Sequence, residues 1–221
     1  MKCPVILSLS LITCLLLPTL ADARIGESRS AFERRLFNNG GLMYRDKEER
    51  TNRRSGGPYS RYMEYLGASA EVRVYFKSDD GSRPSQSDLE QGTKKRDQKA
   101  GLGTGWEVHV LYVNDKSVLE LYKRIGSMSE YEMNALLGLL GDGGFWEEAE
   151  PEQKEELATS NEEVEPPPTA FGFQYVRNDG KVRASKSGGG IMVFQKELDE
   201  FLARQHESRL IQGAPTSVQG F

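Results

Sequence analysis

Beyond residue 14 the chain contains no cysteine; Cys3 and Cys14 are the only two. Both fall in an apolar N-terminal stretch. A chain that has shed this stretch has no disulfide, no thiolate metal site and no cysteine nucleophile. Histidine is nearly as scarce, with His109 and His206 the only imidazoles. There is no His-Glu-x-x-His pair for zinc, no Gly-x-Ser-x-Gly elbow for a serine nucleophile and no Asp-x-Asp-x-Asp-Gly loop for calcium. Acidic residues abound, but nothing singles out two of them for glycoside cleavage. His109, beside Glu107 on an alternating segment, is the one weak catalytic candidate, and its default role is that of a partly exposed strand histidine. No cofactor and no metal are expected. Long apolar runs are missing too: Val5 to Leu17 is shorter than the roughly 20 residues of a bilayer-spanning helix.

That short run is nonetheless the clearest signal in the chain. Met1-Lys2, the run itself, Pro18 and then Ala21-Asp22-Ala23 have the order of a secretory signal peptide over 1–23, cut after Ala23. A retained anchor is the alternative, disfavoured by the short length. Leu11-Ile12-Thr13 lacks the small residue that precedes a lipidated cysteine, which speaks against Cys14 as an anchor. No Asn-x-Ser/Thr sequon occurs, so an exported bacterial protein, periplasmic or extracellular, is the expectation. Of 221 residues, about 198 remain after removal of 23, enough for one ordinary core. Removing Lys2 and Asp22 leaves the net charge at −4.

The remainder is organised around Trp106 to Leu140. Trp106, Val108, Val110 and Tyr112 alternate with Glu107, His109, Leu111 and Val113, as in a half-buried strand. Asn114-Asp115-Lys116 supplies a turn, and Val118 to Tyr122 returns as a second strand. Ser129 with Glu132 has the spacing of a capping box, and Met128 with Met133 that of a hydrophobic staple. Tyr131, Met133, Leu136, Leu137 and Leu140 then form an apolar helical stripe, for packing on a sheet or for a partner. Gly141, Gly143 and Gly144 end it.

Around this unit lie weaker elements. Ser28 or Ser30 can cap a first helix with Ala31, Phe32, Leu36 and Phe37 inward, stopped by Asn38 to Gly41. Arg45, Arg50, Arg53, Arg54 and Arg61, interleaved with Tyr44, Tyr59 and Tyr62, are possible contacts to an anionic surface; a solvated loop is the simpler reading. Glu71 to Lys77 alternates as a strand, and 78–105 reads as a mobile polar insertion. Its Gly101-Leu102-Gly103-Thr104-Gly105 lacks the preceding strand and following helix of a dinucleotide fingerprint. Residues 147–169, with nine Glu against one Lys in Glu147 to Glu165 and then three prolines, read as an acidic linker. A second piece over 170–205 repeats the order hairpin, strand, helix: Asn178-Asp179-Gly180 is the turn, Ile191 to Phe194 a strand, and Leu198, Phe201 and Leu202 a helix face. Residues 206–221 read as a flexible tail.

With Arg24-Ile25-Gly26-Glu27-Ser28 opening the mature chain, then a short helix, a hairpin over Val108 to Tyr122, a leucine-rich helix leading to Trp146 and an Asp-Gly turn within Phe173 to Ala184, the sequence resembles a group of small exported bacterial proteins. The chain departs from that pattern at Asn38 to Gly41, where a Tyr-Gly-x-Pro turn belongs. The resemblance implies an architecture and no activity. A short helix after the leader followed by hairpins is also loosely similar to small envelope-assembly proteins, an analogy of fold only.

The expectation is an α+β fold: a mostly antiparallel sheet of five or six strands, two similar β-β-α pieces in 24–146 and 170–205 sharing one core, and helices on one face. Leu136, Leu140, Leu198 and Phe201 would all point into that core. For function, the expectation is an exported non-catalytic module binding another envelope protein or envelope component, with no nucleic-acid partner and no stable membrane span. The alternative is a hydrolase acting on an envelope polymer.

Overall fold

The structure is a computed structural model that describes residues 25–45, 57–83, 104–149, 168–187 and 189–213. In chain order these form α1 (Arg29–Asn38), β1 (Leu42–Arg45), a 3-10 helix (Pro58–Tyr65), β2 (Ala70–Ser78), β3 (Gly105–Val113), β4 (Lys116–Arg124), α2 (Glu130–Leu140), β5 (Trp146–Glu148), β6 (Tyr175–Arg177), β7 (Val182–Ser187), β8 (Gly190–Gln195) and α3 (Lys196–Gln212). The fold is α+β. One antiparallel sheet runs in the order β1-β2-β3-β4-β8-β7-β6-β5.

The centre of the sheet follows the sequence pattern. Val108 faces Tyr122 and Leu111 faces Leu119 across β3 and β4. The hairpin turns on two residues, Asn114 at φ 50° and Asp115 at φ 63°. This is the left-handed conformation that Asn and Asp tolerate best and that a tight hairpin requires. After Leu111 the register shifts, and the extra residue, Val118, turns inward with Leu119 on the same face of the sheet.

Eight strands stand where five or six were expected. Of these, β6 and β7 are the two arms of the hairpin expected around Asn178-Asp179-Gly180. The additions are β1 and β5, of four and three residues. Segments this short carry too few residues to show a period of two. Glu147 and Glu148, assigned above to the acidic linker, belong to β5 and pair with Val176 and Tyr175.

Helices cover both faces of the sheet, a correction to the one-sided arrangement. On one face Phe32 and Leu36 of α1 and Met133, Leu137 and Leu140 of α2 pack on Tyr75, Val108, Val110, Tyr112, Ile191 and Val193. On the other, Tyr59 and Tyr62 of the 3-10 helix and Leu198 and Leu202 of α3 pack on Val72, Leu111, Leu119, Leu121, Met192 and Phe194. Leu140 and Leu198 therefore lie in different cores, and Phe201 is 39% exposed. The two β-β-α pieces share a sheet but not a side. The physical reason lies in the central strands. Leu111, Leu119, Leu121, Met192 and Phe194 give them a second apolar face, and a sheet with two apolar faces needs two covers. β8 also passes into α3 with no intervening loop.

Helix ends differ from expectation in detail. Ser28 caps α1 through Ala31 N–H. Ser30, the other candidate cap, lies inside α1, and Glu33 one turn on is held by Arg73 and Tyr75 of β2. The capping box at Ser129 and Glu132 is present in full. Beyond α2 the left-handed residues are Asp142 (φ 54°) and Gly143 (φ 77°), not Gly141, which stays helical. The chain expected to fray from His206 continues in α3 to Gln212. The stretch expected to be a leader (1–23), most of the expected polar insertion (84–103) and most of the expected linker (150–167) lie outside the described residues. No described helix is long and apolar enough to cross a membrane.

Candidate functional site

His109 sits on β3 with its ring almost fully buried, at 1% exposure. Its Nε2 lies 2.7 Å from Glu107 Oε1, two residues back on the same face of the strand. Its Nδ1 lies 2.5 Å from the hydroxyl of Tyr59. A carboxylate can only accept, so the neutral ring places its proton on Nε2 and takes the Tyr59 hydroxyl at Nδ1. Lys123 Nζ stands 3.9 Å from the same Glu107 oxygen. Tyrosine, imidazole and carboxylate in line have the connectivity of a proton relay. Tyr59 is only 3% exposed, however, and a relay must reach a substrate. The described cleft, about 270 Å³ and lined by Glu33, Phe37, Leu42, Met43, Arg73 and Arg83, does not contain His109. The half-exposed histidine expected from the sequence is thus a buried one, holding the 3-10 helix to the sheet.

The second histidine is held in the same way. His206 Nδ1 lies 3.1 Å from the Tyr65 hydroxyl, with its ring edge-on to Tyr62. Tyr62 donates to Ala170 O at 2.6 Å. Tyr59, Tyr62 and Tyr65 are three residues apart, and a 3-10 helix repeats every three. All three point one way, into the sheet and α3. Tyr59 and Tyr62 thus belong neither to a solvated loop nor to a possible anionic-surface contact, the two expectations for this segment. The spacing of three was the signal that would have shown a buried face.

Of the five arginines proposed for an anionic surface, Arg45 ends β1 and Arg50, Arg53 and Arg54 lie outside the described residues. Arg61 reaches along its own fold, donating to Ala170 O at 3.1 Å and lying 4.6 Å over the Tyr62 ring. Among the described residues no group of three His, Cys, Asp or Glu side chains is placed to hold a metal ion.

Two buried charged clusters were missed by sequence reasoning. On the α3 side, Asp199 is fully buried and accepts from Ala170 N (2.8 Å), Phe171 N (3.0 Å) and Arg183 Nη1 (2.7 Å). It ties the chain re-entering after the linker to α3 and β7. On the α1 side, Glu120 of β4 is fully buried. Tyr122 donates to its Oε2 at 2.5 Å, and its Oε1 has no hydrogen-bond partner. Burial holds the Glu120 carboxyl above the ordinary value. The Ile25–Ser28 segment closes over this end of the sheet: Gly26 N–H donates to Ser117 O at 2.8 Å and Ser117 N–H to Glu27 O at 2.9 Å. Glu27 in turn takes Arg35 at 2.8 Å. The Arg-Ile-Gly-Glu-Ser opening is thereby explained from Ile25 onward. Ile25 packs on the core, Gly26 supplies φ 97°, Glu27 holds Arg35 and Ser28 caps α1. Both clusters bind the fold together.

Some exposed apolar side chains lack such an explanation, among them Leu210 and Ile211 at the end of α3 and those on α2. The solvent side of α2 carries Tyr131 at 83% exposure and Leu139 at 63%, with Asn134, Ala135 and Gly138 exposed between them. Tyr131, Ala135 and Leu139 share one line along the helix, being four residues apart. No charge interrupts Met133 to Gly141. The apolar stripe expected to face inward divides accordingly: Met133, Leu137 and Leu140 are buried, Leu136 is half-buried, and Tyr131 faces water. Trp146 secures the helix from beneath, donating to Leu137 O at 2.7 Å.

Comparison with protein-family models, curated proteins and solved structures finds no match.

Proposed function

We propose that this chain is an exported, non-catalytic module that docks another protein or envelope component through the outer face of α2. The observation that carries this reading is the solvent side of that helix, where Tyr131 is 83% and Leu139 63% exposed and no charge stands from Met133 to Gly141. A water-facing helix surface usually carries charge, and an apolar one rimmed by acids has the composition of a contact surface. The leader-like N-terminus supports export. The alternative, a hydrolase of an envelope polymer, would rest on Tyr59, His109 and Glu107; the burial of Tyr59 and His109 argues against it, while Glu107 is part-exposed.

The test is retention from the envelope fraction of the source cell by the immobilised chain 24–221. Wild type retains a discrete species, Leu139→Glu loses it, and Arg204→Glu on α3 keeps it. Leu139→Glu melts within about 0.5 kcal/mol of wild type, as exposed positions do. Retention that ignores Leu139, or soluble fragments released from purified envelope polymer and lost in His109→Gln, would overturn the proposal.

A further inference from the structure

The acid buried beneath residues 25–28 is placed to act on that segment, an inference that stands apart from docking through α2. The segment forms a half-exposed strap across the start of β4. Gly26 N–H donates to Ser117 O at 2.8 Å, Ser117 N–H to Glu27 O at 2.9 Å and the adjoining Arg29 N–H to Asp115 O at 3.1 Å. Ser117 is the latch: its hydroxyl also accepts from Gly26 N–H, at 3.1 Å, and faces the Glu120 carboxyl. Glu120 lies in mid-sheet, between Val110 of β3 and Val193 of β8. It is fully buried, and its Oε1 has no hydrogen-bond partner. Tyr122 of β4 donates to its Oε2, and Tyr112 of β3, Arg35 of α1 and Glu27 of the strap face it as well. Behind Tyr112, Tyr75 of β2 leads to Glu33 of α1. From α2 and β8 the neighbours in this core are apolar: Met133, Leu137, Leu140, Ile191 and Val193. Arg35 serves both acids. Its Nη2 donates to Glu27 at 2.8 Å, its charge reaches Glu120, and its Nε is buried without a hydrogen-bond partner.

We propose that the strap is a pH-operated latch, closed over protonated Glu120 and released when Glu120 ionises. A charge in an apolar core must be paired or reach water. Ionised Glu120 repels Glu27, the strap's own carboxylate, and draws Arg35, the partner that holds Glu27. Both forces act on the strap. It is also the least costly cover to lift. A few backbone bonds and the half-buried Ile25 tie it down, whereas α1 and α2 bury Phe32, Leu36, Met133, Leu137 and Leu140. Lifting it admits water to Glu120. Burial raises the Glu120 value most; Tyr122, Arg35 and Ser117 pull it down, and Glu27 raises it again. The closed strap is therefore fully favoured below the ordinary value of 4.5. Above it the advantage falls by up to about tenfold per pH unit, levelling off once pH has passed the raised value.

The experiment follows amide hydrogen exchange by NMR on the chain 24–221 as pH rises from about 4.5 to about 8.5, with rates corrected for the intrinsic pH dependence of exchange. The terminal amine titrates in this range too, equally in every variant. The amides of Gly26 and Ser117 are less protected than those of Val110 and Leu111 in β3. Their protection falls by up to about tenfold per pH unit before levelling off. Glu120→Gln abolishes that fall. Glu27→Gln, which removes the repelling charge and leaves Arg35 to Glu120, shrinks it, and so keeps the test decisive where Glu120→Gln does not fold. Strap amides that exchange as slowly as those of β3, protection that ignores pH, or a fall left unchanged by either variant would overturn the inference.

Discussion

Replacing Asp199 by alanine removes the one carboxylate that joins three separated parts of the chain. Asp199 is fully buried, and its partners are Ala170 N, Phe171 N and Arg183 Nη1. Arg183 is itself 2% exposed. Breaking a buried ion pair by removing one member costs about 3–5 kcal/mol, because the other charge stays buried. Arg183 keeps Glu200 at 3.0 Å and lies over the Phe173 ring at 4.4 Å, which moves the expectation toward the lower end. The two orphaned backbone N–H groups each add about 1–3 kcal/mol unless water reaches them, which moves it back. A loss of about 4 kcal/mol is therefore expected, a large part of the roughly 5–15 kcal/mol that holds a domain together. Asp199→Asn, whose amide oxygen still accepts from Ala170 and Phe171, should lose about half as much. Arg183→Met/Asp199→Leu should recover the charge penalty but not the two backbone bonds. Urea midpoints at constant slope read these differences directly. An Asp199→Ala loss below about 1 kcal/mol would refute the claim that this carboxylate anchors the chain after residue 168.

The other expectations concern single sites. Glu120 holds its proton more tightly folded than unfolded, so its contribution to stability is fully present below the ordinary glutamate value of 4.5 and is lost as pH rises through the raised value. Glu120→Gln should flatten that decline, whose slope is at most about 1.4 kcal/mol per pH unit, and should melt higher than wild type above it; parallel profiles would contradict this. Ser129→Ala breaks the capping box and should cost about 1 kcal/mol in chemical denaturation, whereas Ser30→Ala, which removes no cap, should leave stability close to wild type. His109→Phe leaves the Tyr59 hydroxyl without its acceptor at a buried position and should cost about 1–3 kcal/mol in thermal unfolding; unchanged stability would mean that the ring does not hold the 3-10 helix.

What could be read in advance was set by local chemistry. The β3–β4 hairpin announced itself through eight alternating residues and an Asn-Asp turn, and α2 through Ser129, Glu132 and its periodic leucines. Three kinds of feature stayed hidden. Strands β1 and β5, of four and three residues, are too short for periodicity. The second apolar face of the sheet was masked by Glu107 and by His109, whose buried ring meets Tyr59, 50 residues away. Asp199 and Glu120 look like surface acids in sequence, since only the folded chain brings Arg183, Ala170 and Tyr122 to them. The same limit applies to function. The expectation of export comes from a sequence pattern in the first 23 residues, whereas the outer face of α2 is visible only once Met133, Leu137 and Leu140 are seen to be buried and Tyr131 and Leu139 are left outside.

Docking through α2 is tested most directly by photocrosslinking from residue 131 in the living source cell. Tyr131 is exposed and aromatic, so p-benzoylphenylalanine replaces it without disturbing the core. The same group at Phe201, on the opposite side of the sheet, serves as the reference. Docking requires one discrete adduct from position 131 that vanishes in a Leu139→Glu background, and none from position 201. Adducts from 201 at equal yield, or none from 131, would contradict it.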